Sequence, residues 1–340
     1  MSRPTVSRPT TALSRRGLLA GVLGTAAAGL AGCTTTGSAE TPRPTGTGSG
    51  FPVTVRGKLG RTRVTAAPRR VVAAGYVRDT DLAIALDAPL VGAARNPALG
   101  RRGLAPWQHP KGSPTLFDAT NGVPAEQVAA LRPDLILAAD DYTLATDNAK
   151  LTGIAPTLGY ATGPGADGWV EMTRRAGAVL GRRDRAERLI TATRRTIAAA
   201  RRAHRNFAGT RFVFGPVSSP SELYVINSAE DASAAFLSQL GLRISAKVTA
   251  LPSGETPHRA RVSPERLDLL DADVLILTYP SAGVRRAVES NRLFRRLAVV
   301  RRGGYVALDL PTAIAIGFPS VLSIPYGLDA VVPKLAAAIG

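Results

Sequence analysis

The chain has 340 residues, 45% of them hydrophobic, with a formal net charge of +18 and one cysteine. That length and apolar content exclude a low-complexity or wholly disordered chain and suffice for about two domains, each with its own core. A lone cysteine excludes internal disulfides, and at Cys33, inside a small-residue run near the N-terminus, it is no catalytic thiol.

Residues 1–32 read as a signal peptide. Arg15-Arg16 precede the apolar run Leu18 to Leu30, which is too short to span a bilayer as a mature helix but suits a signal h-region. The paired arginines resemble a twin-arginine export signal, and a general export signal also fits them. Leu30-Ala31-Gly32-Cys33 resembles a bacterial lipobox, whose cysteine is lipidated and becomes the mature N-terminus, tethering the protein at the extracytoplasmic face of the cell membrane. Residues 33–50, rich in Thr, Ser, Pro and Gly, read as a flexible tether. The glycines of Gly46-Thr47-Gly48-Ser49-Gly50 follow no strand, so they do not form a phosphate cradle. Without the four arginines of residues 1–32 the chain keeps 39 basic and 25 acidic residues, a net +14. The arginines are scattered, with no aromatic-rich basic stripe, which points to solvated surface and to no nucleic-acid partner, while leaving room for anionic ligands or lipid.

The folded part begins with an alternating hairpin over residues 51–66. Val71-Val72-Ala73-Ala74 is a short apolar run suited to a strand buried on both faces. Asp79 or Thr80 is placed to cap the helix that follows, and Pro89-Leu90-Val91-Gly92 leads the next strand. A polar loop containing Arg95, Trp107 and His109 comes next. A helix from Pro124 to Leu131 and a strand from Leu135 to Ala139 then end at Asp140-Asp141-Tyr142. From Trp169 to about His204 apolar positions recur at helical spacing, with Gly181 as an interruption. The strand Arg211 to Phe214 opens a second lobe, which continues with a helix over Asp231 to Leu240, a strand over Val274 to Thr278 and a closing helix from Gly327 to Ile339. The two halves share a sentence: Val123, Glu126, Leu131 and Asp134 align with Val262, Glu265, Leu270 and Asp273 at a constant offset of 139 residues. These elements give an α/β chain of two Rossmann-like parallel-sheet lobes, residues 51–167 and 207–340, joined by a long rigid helix over 168–206.

Catalytic parts are missing. There is no G-x-S-x-G elbow, P-loop, dinucleotide fingerprint or H-E-x-x-H motif, and the three histidines, His109, His204 and His258, lie in unrelated contexts. Asp140 and Asp141 are adjacent on a strand end, where side chains point apart. The chain therefore reads as a binding protein and not as an enzyme, with no cofactor and no metal site of its own. Ligands of parallel α/β lobes gather outside the carboxyl ends of the strands. The residues at those ends suited to stack on or pair with a rigid polar ligand are Tyr76, Arg78, Arg95, Trp107, Tyr142, Ser219, Tyr224 and Tyr279.

Pro68-Arg69-Arg70-Val71-Val72-Ala73, Leu131-Arg132-Pro133-Asp134-Leu135-Ile136, Ile154-Ala155-Pro156-Thr157, the long connecting helix and Leu322-Ser323-Ile324-Pro325-Tyr326 together resemble the substrate-binding lipoproteins of ABC importers for iron-siderophore complexes, haem and cobalamin. The resemblance covers about residues 52–338. It implies a class III periplasmic-binding-protein architecture, a monomer that carries its cargo in a shallow cleft between two lobes. By the same resemblance Glu126 and Glu265 dock on arginines of the permease-ATPase complex. A helix that precedes a parallel strand begins on the side where the strands end, which puts both glutamates toward the cleft rim. A ferric siderophore is the first cargo to expect, its iron present only within the chelate. Haem and cobalamin are the alternatives, with His109, Tyr142 and Tyr279 as axial candidates for haem. A structural cell-envelope lipoprotein is the alternative outside transport.

Overall fold

The computed structural model describes residues 50–340. Cys33, the signal peptide and nearly all of the tether lie outside the described residues. The chain opens with the antiparallel hairpin β1 (Val53–Gly57) and β2 (Gly60–Val64). The first lobe follows as β3 (Val71–Ala73), α1 (Arg78–Ala85), β4 (Leu90–Arg95), β5 (Thr115–Asp118), α2 (Ala125–Ala130), β6 (Leu135–Leu137), α3 (Leu144–Ile154) and β7 (Thr157–Leu158). Its five strands are all parallel in the order β5-β4-β3-β6-β7. The apolar runs are strands buried on both faces, because alternate residues feed different cores. Val71, Ala73, Leu135 and Leu137 enter the main core, while Val72, Ile136 and Ala138 pack under α2 and α3.

α4 (Trp169–Val179) and α5 (Arg183–Ala203) replace the single connecting helix. Gly181 sits between them at φ +65°, and a Cβ there would lie 2.7 Å from the Phe51 ring, so the chain turns where only glycine fits. α4 packs on β1 and α1, and α5 packs on the helix Ala232–Gln239 and the final helix.

The second lobe comprises β8 (Arg211–Ser219), β9 (Glu222–Ile226), α6 (Ala232–Gln239), β10 (Arg243–Ile244), α7 (Ala246–Thr249), β11 (Arg259–Val262), β12 (Val274–Thr278), α8 (Ala282–Ser290), α9 (Arg292–Arg296), α10 (Ala298–Arg301), β13 (Tyr305–Leu308), α11 (Leu310–Gly317) and α12 (Ser323–Ile339). Its sheet is mixed, which corrects the expectation of two parallel lobes. β10, β12 and β13 are parallel to their neighbours, but β8 runs on into an antiparallel hairpin with β9, and β11 pairs antiparallel with β9.

The repeated unit folds differently in its two copies. The first supplies the α-helix α2; in the second, Pro264–Leu270 is a 3-10 segment kinked at Arg266. The aspartates that end each copy do the same work. Asp134 accepts the backbone N–H groups of Arg69 and Arg70 just before β3, and Asp273 accepts the N–H and guanidinium of Arg211 at the start of β8. Each carboxylate thus pins the start of its own strand to the start of its parallel neighbour. One core, built from α1, α4, α5, α12 and one face of each sheet, runs through both lobes.

Candidate ligand-binding site

β3, β4 and β6 end on one rim of the first lobe, and a cavity of about 470 Å³ opens there. Tyr76, Arg95, Asn96, Asp141 and Tyr142 line it from the first lobe, with Arg259 and Phe318 across it from the second. An adjoining cavity of about 230 Å³ shares Tyr76, Arg259 and Phe318 and continues to Pro216 on β8, Thr278 on β12 and the inner side of α11.

A buried polar frame supports the rim. Asp140 Oδ2 accepts the N–H groups of Val77 and Arg78, both at 2.9 Å, so this distant carboxylate caps α1. Neither Asp79 nor Thr80 is the cap residue; the N-cap is Val77, without a side-chain bond. Arg78 Nε donates to Asp140 Oδ1 at 2.7 Å and Nη1 to the Asp167 carbonyl at 2.9 Å. Asp79 turns back to accept the N–H groups of Ala139 and Asp140. Burial, reinforced by the Asp140 carboxylate, pushes Asp79 up to about 8. Residue 75 must be glycine, since a Cβ there would lie 2.8 Å from the Asp140 carbonyl carbon.

On this frame stand the aromatic walls. Tyr76 accepts a hydrogen bond from Asn96 Nδ2 at 2.7 Å, and its ring lies 4.7 Å from Phe318. Tyr142 meets Phe318 edge-on at 6.3 Å, so one phenylalanine of the second lobe touches both tyrosines of the first. Burial, then the Asp140 charge, pushes the Tyr142 hydroxyl up to about 12. It enters the cleft as a neutral phenol. Arg95 is half-exposed and pairs with Asp118 at 3.5 Å. Stacking faces, neutral hydroxyls and guanidinium groups suit a rigid, oxygen-rich organic chelate.

The structure brings Tyr76, Arg95 and Tyr142 together and places the other five sequence candidates outside both cavities. Arg78, 1% exposed, is consumed by the Asp140 pair. Trp107 is buried, its Nε1 donating to Asp81 Oδ1 at 3.0 Å and its ring 4.9 Å from Tyr326. Ser219 sits at the β8–β9 turn beside Ser221, and the Tyr224 hydroxyl donates to Glu222 at 2.8 Å on β9. Both were displaced because β8 continues past its parallel partner as a hairpin strand. Tyr279 misses by one residue. Leu275, Leu277 and Tyr279 face the second lobe's own core, where Tyr279 shares a 2.7 Å hydroxyl contact with Tyr305, while Thr278, of the opposite parity, lines the smaller cavity.

Sequence reasoning missed Arg259 and Phe318. The alternation Arg259-Ala260-Arg261-Val262 signalled a strand, and Gly317-Phe318-Pro319 marked the end of an apolar helix. His109 is exposed and lines neither of these cavities. Glu126 and Glu265 lie in the first turns of their segments, exposed and without an ion pair among the described residues; Glu265 accepts the Ser263 hydroxyl at 2.7 Å. Among the described residues no group of three or more His, Cys, Asp or Glu could hold a metal ion, and no helix is long and apolar enough to cross a membrane.

Two sheets facing one cleft define a two-lobed ligand-binding protein. The periplasmic binding protein family profile matches residues 72–309, and the chain belongs to that family. It is similar to a periplasmic solute binding protein from Mycobacterium smegmatis, with 27% identity, 85% of this chain and 99% of the other covered and a TM-score of 0.73. Two further structures share the fold. Streptococcus pneumoniae PiaA in complex with ferrichrome is 23% identical over 84% of this chain and 98% of its own, with a TM-score of 0.73. Staphylococcus aureus FhuD2 with bound ferrioxamine B is 17% identical over 80% and 100%, with a TM-score of 0.60. No curated protein matches the chain.

Proposed function

We propose that this protein is the extracytoplasmic substrate-binding component of an ABC importer, a carrier and not a catalyst, which captures a ferric siderophore in the interlobe cleft. The observation that carries the reading is the cavity of about 470 Å³ walled by Tyr76, Tyr142 and Phe318 with Arg95 and Arg259 at its edges. The ferrichrome and ferrioxamine B bound by PiaA and FhuD2 support it. Iron is cargo, held by the chelate. Cys33 carries the lipid anchor, the protein works as a monomer, and Glu126 and Glu265 meet the permease.

Titration of the protein with ferrichrome and ferrioxamine B, followed by isothermal calorimetry, tests the reading. Saturable binding by a ferric chelate is the expected result, and its iron-free form binds more weakly. Binding of haem alone, with a ligated Soret band, overturns the siderophore assignment within the family. Binding of cobalamin alone does the same. Absence of binding by all three classes favours a structural envelope role.

A further inference from the structure

The cleft has two adjoining compartments. The larger counts Arg95, Asn96 and Asp141 among its polar groups. The smaller, about 230 Å³, runs from the Tyr76–Phe318 partition along Phe214, Leu310, Ile314 and Gly317, with Ser233 and Thr278 also in its wall. Arg259 stands where the two meet. A chelate that fills the larger compartment leaves the smaller one facing its edge. Gly317 ends α11, and a Cβ built there has no atom within 4 Å. The groove is therefore lined at a position that accommodates a residue larger than glycine.

From this continuity, and resting on the siderophore reading above, we infer that the smaller compartment binds an aliphatic substituent of the ligand, so that the preferred cargo is an amphiphilic ferric chelate bearing a short acyl or alkyl arm. The iron-binding head occupies the larger compartment. The arm passes between Arg259 and the Tyr76–Phe318 pair and lies along α11. Burying a methylene is worth about fourfold in affinity when it leaves water completely, and a groove open on one side recovers part of that.

Ferrioxamine B acylated on its terminal amine with acetyl, butanoyl or hexanoyl groups keeps the chelate and its charge constant while the arm grows. Calorimetric titration of the whole protein should show Kd falling at least tenfold from the acetyl to the hexanoyl derivative. Gly317→Leu should return the hexanoyl derivative to the acetyl value and leave the acetyl derivative within twofold, with Gly317→Ala intermediate. The unchanged acetyl affinity reports that the variants fold. Affinity independent of chain length, with the acetyl derivative binding, overturns the inference alone. Equal losses for all derivatives in Gly317→Leu also overturn it, because the groove then holds the chelate itself. If no derivative binds, the acetyl one included, and the iron-free and haem controls agree, the siderophore reading falls and takes the inference with it.

Discussion

Arg78 and Arg259 show how one residue type takes opposite roles according to what surrounds it. Arg78 is sealed beneath the rim with its charge matched by Asp140. Removing one partner of such a pair leaves the other charge buried, at a cost of about 3–5 kcal/mol. Arg78→Met should therefore lower unfolding stability by several kcal/mol in a urea titration, and the weaker binding it shows should follow from a disordered rim. Arg259 is partly exposed, forms no ion pair among the described residues and lines both compartments. Hydrogen bonds to a charged group contribute about 1.5–3 kcal/mol, so Arg259→Ala should weaken binding of a ferric chelate by roughly tenfold to a hundredfold while the melting temperature of the free protein stays within about a degree.

At the scale of elements, the twice-written helix–strand unit is an assembly device. Asp134 and Asp273 staple adjacent parallel strands at their starts, one in each lobe, with no shared partner. Asp134→Ala and Asp273→Ala should each cost about 1 kcal/mol, and the double variant should show the sum within about 0.5 kcal/mol, because separate sites add. Chemical denaturation of the four proteins checks this, and a clearly larger loss in the double variant would mean that the staples cooperate. The strands these residues introduce were legible because apolar runs bounded by Pro, Gly and Asp leave few other readings. The antiparallel hairpin β8–β9 was not, since Ser218-Ser219-Pro220-Ser221 reads equally as a strand-end loop, and hydrophobic pattern does not encode strand direction. The cleft was half legible for the same reason. Parallel strand ends of the first lobe announced Tyr76, Arg95 and Tyr142, whereas Phe318 and Arg259 reach the cleft through tertiary placement, and Tyr279 was lost to a one-residue parity that the sequence does not fix.

The whole molecule adds two couplings that neither lobe contains alone. The proposed docking through Glu126 and Glu265 would engage both lobes at once; on that proposal, reversing both charges with Glu126→Lys and Glu265→Lys should abolish transporter-dependent uptake of a radiolabelled ferric chelate while its affinity for the isolated protein stays within twofold. Unchanged uptake would remove the glutamates from the interface. The second coupling is Asp81 on α1. It accepts Trp107 Nε1 and Gln108 Nε2 from its own lobe and, at 2.7 Å, the hydroxyl of Ser320 ahead of α12 in the other. Burial pushes its carboxyl up to about 7 against the pull of those three donors. The unfolded chain releases this proton near pH 4, the folded chain near pH 7, so the folded state binds more protons between those values and loses stability as pH rises through them. Asp79, raised to about 8, acts in the same direction. The melting temperature should thus fall from pH 5 to pH 8, and Asp81→Asn, which cannot titrate, should show a shallower slope whatever its absolute stability. A parallel slope in the variant would place the pH dependence elsewhere, whereas a flattened one would identify the buried Asp81 carboxyl as the group whose deprotonation lowers stability.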